Sequence, residues 1–195
     1  MSVFDDPTLV EDFHAALKSA TDSKHRELEG LPISQQLADG SISLHDYLGY
    51  LSAMHDFVGS VEQKALPVIG ESLPDAGLRL KTDWLAQDLG KSAGDFSDLF
   101  DDFPWTEAFA MGVFYVLEGS TLGGRFIQAR LAQTGHIPAE KMRFFQGYGN
   151  QSGAMWKKFL HSLSRFAGTS RQDQIIEGAN FAFDTIKKHL GQISA

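Results

Sequence analysis

Apolar positions recur every three to four residues along nearly the whole chain, and no segment alternates with the period of two that marks a strand. From Thr8 to about Glu29, Val10, Phe13, Leu17 and Leu28 share one stripe, and Gly30 with Pro32 predicts the end of that helix. Ser43 and Asp46 form a capping-box pattern for a second helix, "LHDYLGYLSAMHDFVGSVEQKAL", which is expected to stop at Pro67. A third helix is predicted near Leu78 to Leu89, followed by the acidic "GDFSDLFDDFPW", which reads as a loop or a short helical turn. A fourth spans Thr106 to Thr134 and is closed by Gly135. Residues 136–150 look irregular, with a short helix near Lys141. A fifth helix runs from Ser152 to Phe166, and Ser170 with Asp173 opens a sixth that reaches about Leu190. The expectation is an all-α fold, six to eight helices around one core, forming a single domain over residues 1–195.

The fourth helix carries an anomaly. Its centre, "FYVLEGSTLGGRFI", holds Gly119, Gly123 and Gly124 together with Ser120 and Thr121. Each interior glycine costs roughly 1 kcal/mol relative to alanine, and the two hydroxyls offer the backbone competing bonds. At about 100° per residue, Gly112, Gly119 and Gly123 fall within about 40° of one another. They therefore predict a smooth groove in which backbone replaces side chain. Two readings stand side by side. One is close helix–helix packing, and the other is close approach of a large flat ligand with a local bend in the helix.

The first helix offers the complementary chemistry. In "LKSATDSKHRELE", His25 lies on the rim of the apolar stripe, and Glu29 is one turn further on. Glu29 is placed to accept from Nδ1–H, which leaves Nε2 as a lone-pair donor suited to a metal. The bland alternative is a surface His/Glu pair at i,i+4 spacing. Lys18 projects along nearly the same line about 10 Å away, where its ammonium could meet a carboxylate at a ligand's edge. Glu11 and His14 have the spacing of a di-iron pair, but the chain holds no second such pair. Phe181 and Phe183 read as core residues first and as pocket walls second.

Composition narrows the partners. A net charge of −8 argues against a nucleic-acid surface, and no stretch approaches the 18 apolar residues of a membrane span. The absence of cysteine excludes a thiol nucleophile and any thiolate metal site. No nucleophile elbow or phosphate-binding loop occurs. The early acids of "MSVFDDPTLVEDF" do not resemble a signal peptide, so a cytoplasmic protein is expected.

Taken together, these segments resemble the heme oxygenase family. "ALKSATDSKHRELE" is similar to its proximal helix, with Lys18, Thr21, His25 and Glu29 at matching positions, and "YVLEGSTLGG" is similar to the distal helix of its bacterial members. "FFQGYGNQSGAMWKKFLHSL" and "IIEGANFAFDTI" resemble the last two helices, so the likeness covers nearly the whole chain in order. The resemblance implies that heme, an iron protoporphyrin IX of the b type, is both cofactor and substrate. His25 would be its iron ligand, and it would lie between the proximal helix and a kinked distal helix. Gly119, Ser120, Gly123 and Gly124 would form the catalytic wall. Lys18, Thr21, Glu29, Phe183 and Lys157 would surround the cofactor, with Lys157, Lys158 and Arg125 chosen by location alone. Animal members carry an aspartate where this chain has Ser120. The implied products are biliverdin, ferrous iron and carbon monoxide. Dioxygen would be the co-substrate, and the electrons would come from an external reductase or ferredoxin, because no flavin or nicotinamide motif is present. A monomer is expected. The alternatives are a non-catalytic heme-binding or heme-transfer protein and a di-iron oxidase on the same fold.

Overall fold

A computed structural model describes residues 7–100 and 105–193 of the protein, with side chains from residue 11 onward. The side chain of Val10 and positions 101–104 of the acidic segment lie outside the described residues. Eight α-helices and several single 3-10 turns make up the fold, with no strand among the described residues. The helices are α1 (Pro7–Glu29), α2 (Pro32–Asp39), α3 (Leu44–Ile69), α4 (Thr82–Leu89), α5 (Glu107–Thr134), α6 (Arg143–Gln146), α7 (Ser152–Leu163) and α8 (Gln172–Leu190).

Several ends form as their residues dictate. Ser43 Oγ accepts from the Asp46 amide to cap α3, and Thr106 Oγ1 accepts from Phe109 to cap α5. Gly135, at φ 74°, supplies the left-handed residue that ends α5. Three expectations need correction. Pro32 does not simply end α1: it opens a separate eight-residue helix, α2, whose Ile33 and Leu37 are buried and whose end is Gly40. A proline at the first helical position lacks only an N–H that would have no partner there. Pro67 does not stop α3, which continues two residues to Ile69. So near the end, the ring forfeits one bond in a turn that was about to finish. Finally, Ser170 does not cap α8; Arg171 occupies the cap position with no side-chain bond.

Helix α5 is the axis of the molecule and packs most extensively on α8. Contact there is backbone on backbone. A Cβ at Gly112 would overlap the Ile175 carbonyl of α8, and one at Gly178 would overlap the Phe109 carbonyl of α5. Each glycine thus makes room for the other helix. Around this axis a single hydrophobic cluster joins Phe13 and Leu17 of α1, Tyr47, Phe57 and Val61 of α3, Phe159 of α7 and Phe183 and Ile186 of α8. Helix α1 lies against α8. Its buried Phe13 and Leu17 hold it there, and two exposed pairs, Lys24–Asp184 and Lys187–Glu27, both at 2.6 Å, set its register. One face of α1 thereby becomes one wall of a cavity, and the stretch of α5 from Tyr115 to Ile127 becomes another.

Candidate functional site

Between α1 and α5 lies a cavity of about 790 Å³, closed at its sides by α2, α3, α7 and α8. Such a volume suits a ligand of cofactor size. Helix α1 contributes His14, Lys18, Thr21, Asp22, His25, Leu28 and Glu29, all to one face. Their spacing of three and four residues is that of a single helical stripe. Helix α5 answers with Tyr115, Val116, Gly119, Ser120, Leu122, Gly123, Phe126 and Ile127, again at intervals of three and four. Two helical stripes face each other across the space.

The α1 wall presents two imidazoles, His14 near Lys18 and His25 near Glu29. The ring of Phe183 stands edge-on to His25, with centroids 5.7 Å apart and planes at 89°, and so holds it from the α8 side. Glu29 Oε2 lies 3.5 Å from His25 Nδ1, an electrostatic contact longer than a normal N–H···O bond. Among the described residues no other hydrogen bond or ion pair holds that ring, and His25 lines the cavity. Thr21 also lines the cavity, but its hydroxyl donates to the Leu17 carbonyl at 2.9 Å and serves the helix. Lys18 stands exposed on the rim beside His14. The His14 imidazole is held below the ordinary histidine value by burial first and by the Lys18 charge second.

The α5 wall is bared by glycine at two positions only. A Cβ at Gly123 would meet nothing within 4 Å, and one at Gly119 would meet only the Trp156 ring at 3.8 Å. Gly124, expected on the same wall, turns away: its Cα side packs on the backbone of Phe145, where a Cβ would stand 3.0 Å from the carbonyl oxygen. Gly112, expected to extend the groove, belongs to the contact with α8. Helix α5 runs as one continuous helix through 119–124. Ser120 does line the cavity, yet its hydroxyl donates to the Leu117 carbonyl at 2.8 Å. It can accept from a ligand or water, and its own proton is engaged. Lys157 and Arg125 do not reach the cavity. Both are exposed on their helices.

Several lining residues escape a reading of the sequence. Tyr50 and Met54 come from α3, Gln35 and Ser34 from α2, Trp156 from α7 and Tyr115 from α5. Burial pushes the Tyr50 phenol well above its ordinary value and that of Tyr115 up to about 12, so both stay neutral donors. His14 had a legible signal, because it continues the 14–18–21–25 stripe. Tyr50 and Trp156 had none, since nothing local marks which helices fold over the gap. Among the described residues no three of His, Cys, Asp and Glu gather as a metal site. What the cavity offers a metal is therefore a lone imidazole ligand, with His25 rather than His14 placed beside a carboxylate that can orient it.

Fold and site define a class: an all-α protein whose apolar cavity has one imidazole-bearing wall and one wall bared by glycine. Residues 11–191 match the family model described as heme oxygenase, and the chain belongs to that family. Among solved structures, it is similar to the heme oxygenase of Neisseria meningitidis studied in its NO- and CO-bound forms. That match has a TM-score of 0.74 at 21% identity and covers 93% of this chain and 91% of the other. It is also similar to the heme oxygenase of Leptospira interrogans, with a TM-score of 0.74, 13% identity and coverage of 92% and 98%. At these identities the likeness speaks for the fold. A search of curated protein sequences gives no match.

Proposed function

We propose that the chain is a heme oxygenase that cleaves iron protoporphyrin IX, its substrate and its own cofactor, to biliverdin, ferrous iron and carbon monoxide. One observation carries this reading: the imidazole of His25 and the uncovered backbone of Gly119 and Gly123 line the same apolar cavity from different helices. The residues fit a porphyrin. An imidazole ligand, apolar walls and an unfilled space over two glycines are what a flat iron macrocycle needs.

Bound heme iron supplies the activation of dioxygen, and the rest falls to this chain. His25 would donate Nε2 to the iron, its ring plane fixed by Phe183 and its Nδ1 side biased by Glu29. Gly119 and Gly123 would leave room for a diatomic ligand that a larger side chain would crowd out. Lys18 would meet a porphyrin carboxylate at the rim, as a point charge. Leu37, Met54, Val116 and Ile186 keep water from the ring. Ser120, its proton engaged by the Leu117 carbonyl, would serve as an acceptor, so any donor to an iron-bound ligand would have to be water or another group of the cavity. Reducing equivalents would come from a separate reductase or ferredoxin, and the protein would act as a cytoplasmic monomer.

The test is aerobic turnover of hemin by the purified protein with an added reductant, read by product chromatography. Biliverdin is the expected product. A stable heme complex with no ring opening would leave a heme carrier instead, and tight non-heme iron without hemin affinity would point to a di-iron oxidase. The control is His25→Ala, which should lower turnover by roughly 100-fold or more, since even loss of a group supporting a metal ligand can cost that much.

A further inference from the structure

Directly before Gly119, at the last position of α5 before the bared segment, sits a carboxylate with no exposure. Glu118 accepts from Arg79 Nη1, from Lys81 Nζ at 2.6 Å and from the Tyr148 hydroxyl at 2.8 Å, and Arg79 and Lys81 are each only 1% exposed. None of these donors belongs to α5. The stretch that carries the two cations is itself pinned. Glu62 of α3 accepts from the amides of Lys81 and Thr82, and Asp75 grips Arg79 through Nε at 2.7 Å and Nη2 at 2.9 Å. Arg79 Nη1 also donates to the Met155 carbonyl at 3.2 Å, and the next residue, Trp156, is the ring nearest Gly119. At the far end of the bared segment, Gly124 is pressed on the Phe145 backbone.

The segment between these two points is intrinsically weak. Glycines at 119 and 123 lower its helix propensity relative to alanine. A buried carboxylate with two cations is weak evidence for stability, because desolvation offsets most of the attraction, whereas its geometry is specific. We infer that Glu118, held by Arg79, Lys81 and Tyr148, is a positioning residue that sets the height of the Gly119–Gly123 wall over the bound heme and hence the space left for a diatomic ligand. Acting with Gly124, it clamps the weak stretch of α5 at both ends. Through Met155 the same guanidinium holds Trp156 against Gly119, so that helix and ring move together. This inference rests on heme as the ligand of the cavity.

Two conservative variants test it. Tyr148→Phe removes one hydroxyl, and Lys81→Met removes one cation while Arg79 still pairs with Glu118; far-UV circular dichroism checks that both fold. In the ligand-free proteins, amide exchange over residues 119–124 should quicken by roughly tenfold relative to α8. In the ferrous heme–CO complexes the C–O stretch should shift, while the vibration of the iron–His25 bond stays where it is in the parent. Unaltered amide exchange overturns the inference whether or not hemin binds, and so does faster exchange with an unmoved C–O stretch. A parent protein that fails to bind hemin counts against the proposed function alone, and amide exchange then decides for or against the clamp.

Discussion

Gly112 and Gly123 stand three turns apart on α5 and within about 20° of each other on the helical wheel, yet they do opposite things. At Gly112 the missing side chain lets the backbone of α8 approach, and at Gly123 it leaves a space that no atom enters. Helix α5 changes partners along its length. Around Gly112 it is pressed on α8, and from Tyr115 to Ile127 one of its faces borders the cavity. A glycine on a helix face announces that something comes close; whether protein or ligand fills the gap depends on what lies opposite.

The contrast can be broken from either side. Gly112→Ala should cost the most, because its methyl meets the Ile175 carbonyl and a backbone cannot rotate away. A loss of about 3 kcal/mol is expected, which for a chain of this size lowers Tm by about 6–12 °C. Scanning calorimetry measures it, and a variant as stable as the parent would mean that the two helices part easily.

Gly123→Leu should leave the fold untouched or slightly firmer while lowering hemin affinity by on the order of 100-fold, about 2.7 kcal/mol. Hemin titration and thermal melting together read both halves of that prediction. Unimpaired binding would remove Gly123 from the wall over the heme.

Acid should act more gently, through histidines outside the contrast. Burial holds His55, at 0% exposure, and His14 below the ordinary histidine value of 6.5. The unfolded chain therefore binds protons more readily than the folded one. Stability is complete above about pH 6.5 and declines as the pH falls below it through the lowered folded-state values. Denaturant midpoints at several pH values should show this slope, and His55→Leu should flatten it. A slope that survives the substitution would assign it elsewhere. Smallest of all should be Glu29→Ala. With both partners exposed and 3.5 Å apart, it should alter hemin affinity by no more than roughly threefold. A hundredfold change would show that the carboxylate governs the ligand after all.

Much of this was legible in the residues, for physical reasons. The 3.6-residue period dictated the long helices, and Ser43, Thr106 and Gly135 marked ends that formed where their chemistry required. His25, Lys18, Thr21 and Glu29 share one wall because a helix places residues three and four apart on the same side, whatever surrounds it. The two glycines that line the cavity sit one turn apart for the same reason. Helix α2 hides behind an ambiguous signal, since Pro32 marks both the end of one helix and the start of the next.

The rest needed the third dimension. Nothing local distinguishes Gly112 and Gly124 from Gly119 and Gly123, because the difference is made by α8 and by the Phe145 backbone on other parts of the chain. Nothing local assigns Tyr50 and Trp156 to a cavity, or gathers Arg79, Lys81 and Tyr148 about Glu118 across sequence gaps of 30 to 39 residues. Periodicity encodes which residues share a helix face, so the two stripes, and His25 on one of them, follow from local spacing alone. Which faces meet is decided by how the helices pack against one another, and only the tertiary structure decided which glycines meet backbone and which meet empty space.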